Sequence, residues 1–485
     1  MNKPLRRVAL AMMAMVVLLM ANMTYVQVIK AGEYRDDARN IRTQLEEFSH
    51  ERGQIIADGQ SLAVSNPIDN DRYQYQRSYP NGPLYAPVTG FYSFFYGSNG
   101  IERANDKILN GTADSMAFGR FSDMITGNKP RGGNVELTID PAMQQVAYEQ
   151  LTSKGFHGSV VALNPANGQI LSMVNAPSYD PNRLTGTDNN QVADQWQQLN
   201  DESGNPMSNR AVSEIYPPGS TFKLITTAAA LDSGYTPDSQ VETASSIHLP
   251  GTADATLPNY GDRTCKGSTL TLALAHSCNT AFAEIAGKVG ADKLRSTAAK
   301  FGFDRDLNMP MSVARSEMGP MADQASLYQS GIGQRDVRVT PLQNAMMAAA
   351  IANGGELMKP QLVEATRAPD METMDTFQEE SLGQAVSPQV AAQIKEMMIK
   401  SEGFTKGGGK ITGIDIASKT GTAQHGDPGD QPHGWYVAFA PAENPTIAVA
   451  VIVENGGDEG AEATGGSLAA PIGREVIRAG LRGGG

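Results

Sequence analysis

The sequence predicts an α+β fold: an antiparallel sheet flanked by helices, preceded by a smaller N-terminal domain and one transmembrane helix. Three observations carry this. Two pairs of strand-like runs stand far apart, at residues 159–174 and 435–454. Helix-compatible stretches lie between them, at Thr221–Asp232, Leu270–Val289 and Thr340–Asn353. Strands at both ends of a helical middle pair most simply as one antiparallel sheet covered by those helices. The third observation is an N-terminus without a charge from Val8 to Ile29.

That run follows Lys3, Arg6 and Arg7 and precedes the acidic Glu33, Asp36 and Asp37. About 20 apolar residues span a bilayer as a helix. The positive-inside rule therefore places residues 1–7 in the cytoplasm, residues 8–29 in the plasma membrane and the remainder outside, as a single-pass protein. A cleaved signal needs a small-x-small site, which Ala21-Asn22-Met23 does not supply. A lipoprotein anchor needs a nearby cysteine, and the first is Cys265. The expectation is an uncleaved signal anchor.

Residues 30–155 read as a separate N-terminal domain. Ala31–Glu47 is charged and helix-compatible, and Gln54–Ile56 is a short strand candidate. A Pro/Gly/Tyr-rich region holds Pro80, Gly82, Pro83, Pro87 and Gly90, and Lys129–Gly133 is a turn-rich linker. Asn134–Ile139 alternates like a strand, and Pro141, after Asp140, opens a helix to about Leu151. Residues 156–485 form the main domain. Ser159–Leu163 and Gln169–Val174 make its first hairpin around an Asn-Gly turn, and Trp435–Ala440 with Thr446–Glu454 its last.

Composition excludes several classes. The 485 residues carry 39 basic and 52 acidic side chains, a net charge of −13. With no basic block, a nucleic-acid partner is not expected, because phosphate affinity needs clustered Lys and Arg. Two cysteines are too few for a Cys-rich zinc site, and the six histidines lack ligand spacing, so no metal is expected. Lys406-Gly407-Gly408-Gly409-Lys410 lacks the order of a phosphate loop and reads as a flexible loop. Asp458, Glu459 and Glu462 read as a solvated acidic loop. Cys265 and Cys278, 13 apart and outside the reducing cytoplasm, are expected to form a disulfide.

The chemistry lies in three short motifs. Pro217-Pro218-Gly219 breaks the chain just before Ser220-Thr221-Phe222-Lys223. Residues three apart share a helix face, so Lys223 is expected beside Ser220. A serine hydroxyl is a poor nucleophile until a base takes its proton. A lysine can be that base when burial and a helix N-terminus lower its pKa. Ser277-Cys278-Asn279 falls inside the helix-compatible stretch that begins near Leu270. Lys419-Thr420-Gly421-Thr422 follows a strand-like run, with a glycine suited to close approach of a ligand. Singly, each motif has a bland reading: a capped helix, a polar helix face, an edge strand ending in a turn. Their order and spacing, 220 to 277 to 419, are far more specific.

In that order the sequence resembles the penicillin-recognising serine enzymes, and with its anchor and length the class B penicillin-binding proteins, closest to the actinobacterial A group. The flanking residues agree: Asn209-Arg210-Ala211, Gly331-Ile332-Gly333-Gln334, and Trp435-Tyr436-Val437-Ala438-Phe439. Arg52-Gly53-Gln54-Ile55 resembles the family's N-terminal element, with Ala57 where an acidic residue is usual. The resemblance implies a serine β-lactamase/transpeptidase-like domain on a non-catalytic, pedestal-like one. It implies D,D-transpeptidation of peptidoglycan stem peptides, with Ser220 as nucleophile, Lys223 as base, Ser277 relaying protons to the leaving amine, and Asn279 either hydrogen-bonding the substrate's side-chain amide or orienting Lys223. Lys419, Thr420, Gly421 and Thr422 would bind the substrate carboxylate, and the backbone N–H groups of Ser220 and Thr422 would form the oxyanion hole. β-Lactam antibiotics would trap Ser220. No cofactor is implied, and the partners would be the membrane and a glycosyltransferase or divisome or elongation protein. The competing functions are a D,D-carboxypeptidase or β-lactamase, a β-lactam receptor, and a non-catalytic scaffold of a cell-division or elongation complex.

Overall fold

A computed structural model describes residues 2–30, 48–70, 73–117, 119, 125–127, 129–426, 430–460 and 463–483. The charged stretch 31–47 and Glu462 lie outside the described residues. Helix α1 (Asn2–Thr24) continues in a wider turn to Ile29. The segment Lys3–Ile29 is long and apolar enough to cross a membrane, and none of it is buried against the rest of the chain.

Strands β1 (Ile55–Ala57), β2 (Gln60–Pro67), β3 (Tyr75–Ser78) and β4 (Asn134–Leu137) precede helix α2 (Pro141–Thr152). The hairpin β5 (Gly158–Leu163) and β6 (Ile170–Ala176) leads to α3 (Lys223–Leu231), α4 (Leu270–Ala275), α5 (Asn279–Val289) and α6 (Pro341–Ala352). Then come β7 (Val363–Arg367), β8 (Thr373–Thr376) and α7 (Pro388–Phe404). Last are β9 (Ala417–Ala423), β10 (His433–Ala440), β11 (Ile447–Val453) and α8 (Ala469–Gly483).

The central sheet has the order β9-β10-β11-β5-β6 and is antiparallel throughout. Side chains alternate between its faces. Val161, Val437, Phe439, Ala450 and Ile452 join the core shared with α3, α5, α6 and α7. Val160, Ala162, Tyr436, Val449 and Val451 join a second core with Met143, Ala147 and Leu151 of α2 and Ile472, Val476 and Ile477 of α8. Both faces are dry, which is why Ile447–Val453 is apolar at every position. Helix α6 lies innermost: every residue but Ala352 is buried, and all but Gln343 and Asn344 are apolar. Thr340 caps it by accepting from the Gln343 N–H, with Pro341 in its first turn.

The N-terminal sheet runs β8-β7-β4-β1-β2-β3, with β1 and β4 parallel and the other pairs antiparallel. Its β7–β8 hairpin comes from between α6 and α7, so the main domain supplies two of its strands. Helix α2, grouped with residues 30–155 in the sequence reading, packs in the α8 core instead. Its apolar face needs cover, and the central sheet and α8 provide it. Within the N-terminal unit, Arg52 Nε lies 2.7 Å from Glu102 Oε2, and Arg77 Nε 2.6 Å from Glu102 Oε1. Burial alone pushes the Glu102 carboxyl up, but Arg77 and Arg52 outweigh it and hold it below the carboxylate range.

Candidate active site

Ser220 sits in a 3-10 turn, Gly219–Phe222, that leads into α3. Long-range bonds fix this turn. Tyr216 pairs with Val339 through bonds of 2.9 and 2.8 Å, and Gly219 N–H donates to Gly333 O at 2.8 Å. A Cβ on Gly333, whose φ is +72°, would stand 2.1 Å from Gly219 O, so only glycine permits this approach. Trp435 Nε1 donates to Pro217 O at 3.0 Å, tying the turn to the sheet. Tyr216 and Arg210 both donate to Glu454 Oε1, at 2.6 and 3.0 Å.

Lys223 follows three residues later and is fully buried. Its Nζ donates to Ser277 O at 2.7 Å and to Asn279 Oδ1 at 2.7 Å, and lies 3.3 Å from Ser277 Oγ. The Ser220 hydroxyl makes no hydrogen bond among the described residues. Helical spacing thus brings Lys223 to the Ser277 motif, without a bond to Ser220 at rest. Asn279 Nδ2 donates to Pro258 O at 3.0 Å, which fixes the amide so that its oxygen faces Lys223.

The continuous helix expected over Leu270–Val289 is broken. Ser277 has φ +59°. Cys278 N–H bonds back to Ala273 O at 2.9 Å and Ser277 N–H to Leu274 O at 3.1 Å, closing α4 with a Schellman arrangement. Ser277 fills the left-handed position that glycine usually takes, at a cost of about 1–2 kcal/mol. The gain is orientation: the break aims both its carbonyl and its hydroxyl at the lysines. Cys278 is joined to Cys265 by a disulfide with Cα atoms 5.6 Å apart, so the 259–265 loop is pinned to the same turn. Asn259 reinforces the loop, accepting from Thr280 N–H at 3.0 Å and donating to Ala244 O at 2.9 Å.

Lys419 is carried on β9, an edge strand of the central sheet. Its Nζ donates to Ser277 Oγ at 2.9 Å and to Thr420 O at 2.8 Å. Gly421 lies against the Ser220 turn, and a Cβ there would meet Pro218 O at 3.0 Å and the Thr221 methyl at 3.1 Å. Thr422 O is close enough to Gly219 to meet a Cβ built there at 2.8 Å. Thr420 pairs across the strand with Tyr436 and shares its parity, whereas Lys419 and Gly421 pair with Val437 and Trp435 on the other face. The three motifs, distant in sequence, therefore meet at Ser277.

Two buried amines around one hydroxyl repel one another. Burial, and after it the charge of Lys419, push Lys223 well below the usual lysine range. Burial pushes Lys419 down to about 7. A neutral Lys223 has two N–H donors, and Ser277 O and Asn279 Oδ1 are pure acceptors that can take both. Its lone pair then remains for a proton. A charged Lys419 has three donors, two of them used, and one left for an anion.

Several residues of this site carried no short-range sequence signal: Pro258, Asn259 and Glu454 act through chain-distant contacts. The His425 and His433 rings stack at 3.8 Å, and burial, then His425, pushes His433 down to about 3. Among the described residues no group of three or more His, Cys, Asp or Glu is placed to hold a metal ion.

Residues 158–478 match the penicillin binding protein transpeptidase domain, and residues 52–135 the penicillin binding protein A dimerisation domain. The chain is 52% identical over 491 residues to the peptidoglycan D,D-transpeptidase PbpA of Mycolicibacterium smegmatis, with 99% of each chain covered. It is 50% identical over 493 residues to that of Mycobacterium tuberculosis, with 100% of each covered. The ceftriaxone acyl-enzyme of M. tuberculosis penicillin-binding protein A superposes with a TM-score of 0.88 at 49% identity, covering 90% of this chain and 100% of that one. The penicillin G acyl-enzyme gives 0.86 at 49% identity, covering 89% and 100%. The chain belongs to the penicillin-binding protein transpeptidase family.

Proposed function

We propose that this chain is a membrane-anchored peptidoglycan D,D-transpeptidase that works through an acyl-enzyme on Ser220. The observation that carries the reading is the convergence of Lys223 and Lys419 on Ser277, with Asn279 bonded to Lys223, beside the Ser220 turn. Ser220 Oγ attacks the carbonyl between two terminal D-alanines, and its proton passes to the lone pair of neutral Lys223. The substrate carboxylate takes the free donor of Lys419, and the open edge of β9 along Thr420, Gly421 and Thr422 borders its place. The backbone N–H groups of Ser220 and Thr422 stabilise the negative charge on the carbonyl oxygen, a contribution commonly worth about 10²–10³ in rate per donor.

Ser277 accepts from Lys419 and keeps its own proton to give. It delivers that proton to the nitrogen of the departing D-alanine and is reprotonated from Lys223. The C–N bond breaks, D-alanine leaves, and the ester remains. An acceptor amine then attacks the ester, its proton returns to Ser220 by the same route, and a crosslink is formed. A β-lactam acylates Ser220 alike, but its ring amine stays tethered.

We place the chain in the plasma membrane through residues 8–29, once-spanning, with residues after 30 extracytoplasmic; a glycosyltransferase or divisome or elongation protein is the proposed partner. To test the reading, the full chain in detergent is incubated with a fluorescent penicillin and the adduct located by peptide mass. Label on Ser220 that persists for hours and is absent in Ser220→Ala supports it. Rapid release of the label indicates a β-lactamase instead, and no label on folded protein leaves the scaffold reading.

A further inference from the structure

The last turn of α7 touches two of the three motifs from behind. Glu402 is buried there and accepts three hydrogen bonds within an ion pair. Its Oε1 takes the N–H of Arg474 Nε at 2.8 Å and lies 2.8 Å from Nη2, and its Oε2 takes the hydroxyls of Ser418 and Tyr436, the latter at 3.2 Å. Ser418 is fully buried and immediately precedes Lys419 on β9. Neighbouring strand residues face opposite ways, so Ser418 is held at the back while Lys419 points forward to Ser277. Two residues after Glu402, the Phe404 ring lies 4.3 Å from that of His276, the residue before Ser277.

The arrangement is costly to build. Burying an Arg–Glu pair often adds nothing to stability over an apolar packing of equal volume. Arg474 also spends Nη1 on the carbonyls of Lys406, Gly407 and Gly408. What the network does supply is a fixed point behind an edge strand, which has a paired neighbour on one side only. Of the loop Lys406–Lys410 that the sequence marks as flexible, residues 406–408 are so anchored.

We propose that Glu402 is a positioning residue that, through the Ser418 hydroxyl, sets Lys419 against Ser277 and against the carboxylate of the substrate. The proposal rests on the carboxylate role given to Lys419 above. Through Phe404 and His276 the same turn also fixes the Ser277 side, so the Lys419–Ser277 distance is defined by one element.

A merely structural role would slow all acylation alike; a positioning role for Lys419 acts on ligands with a carboxylate. The test therefore compares acylation of the full chain in detergent by penicillin G and by its methyl ester. In Ser418→Ala the acid-to-ester rate ratio is expected to fall about tenfold, the scale of one lost hydrogen bond near a charge. Ser418→Thr, which keeps the hydroxyl, should restore it, and Glu402→Gln should lower it as Ser418→Ala does. The ratio compares two rates on the same folded fraction, so partial unfolding does not mimic the effect. An unchanged ratio in Ser418→Ala, with normal acylation of the parent, overturns the positioning role alone. A parent that labels no Ser220 overturns the transpeptidase reading and this proposal with it.

Discussion

Replacing Lys419 by methionine tests the electrostatics of the site. Ser277 Oγ lies 3.3 Å from Lys223 Nζ and 2.9 Å from Lys419 Nζ, so the two nitrogens are no more than about 6 Å apart. At an effective dielectric constant of about 20, two unit charges at that distance repel by about 3 kcal/mol. Both lysines are buried, so solvent screens this little. Removing the Lys419 charge relieves the Lys223 ammonium and raises its pKa. On the acid side, where Lys223 is mostly protonated, the neutral base then falls on the order of 100-fold. The second-order rate of acylation by a penicillin, measured from pH 5 to 10, is the assay. In the parent it rises as Lys223 loses its proton and falls as Lys419 loses its own near 7. In Lys419→Met the falling limb disappears and the rising limb moves to higher pH, beneath a plateau lowered by lost carboxylate binding. A rising limb that stays in place or moves to lower pH would refute the coupling, whatever the plateau does.

Other expectations follow from single contacts. Asn279→Ala removes an acceptor from Lys223 and a donor from Pro258 O, each loss worth about 1–3 kcal/mol. Acylation should drop about 10–100-fold and the melting temperature by a few degrees, and a rate within threefold of the parent would exclude Asn279 as the group orienting Lys223. Gly333→Ala forces a Cβ onto Gly219 O and should reduce both stability and acylation, seen by thermal melting and penicillin labelling; a parent-like protein would contradict the close approach. Cys265→Ser with Cys278→Ser opens a loop of 13 residues and should destabilise the chain by about 3 kcal/mol, read from denaturant unfolding. Unchanged unfolding would show that Asn259 and its bonds suffice to hold the turn.

The parts of this molecule legible in its sequence are those in which neighbours in the chain are neighbours in space. The Asn-Gly hairpin of β5 and β6, the Asp140-Pro141 start of α2 and the apolar α1 belong here, as does the placing of Lys223 one turn after Ser220. Ser277 was not legible as a turn residue: a left-handed position is read from glycine, and none is present. The partner of Lys223 was hidden for the same reason, since only the break in the helix aims Ser277 O and Asn279 Oδ1 at it. The faces of β10 and β11 were equally hidden, because strands buried on both sides lose their alternation. Nor did anything near Val363–Arg367 announce that it pairs with Asn134–Leu137 across more than 200 residues. Glu402, Ser418 and Arg474 are each ordinary in sequence and acquire meaning only when α7, β9 and α8 are packed together.

The most direct measurement is a donor–acceptor reaction on the full chain in detergent. A stem pentapeptide ending in D-Ala-D-Ala is supplied with an amine-bearing stem peptide, and both products are counted by mass. A transpeptidase releases one D-alanine per crosslinked peptide, and both products vanish with penicillin or in Ser220→Ala. Release of D-alanine with only the hydrolysed tetrapeptide would make the protein a carboxypeptidase. No release from protein that binds penicillin at Ser220 would contradict the turnover assigned to this site.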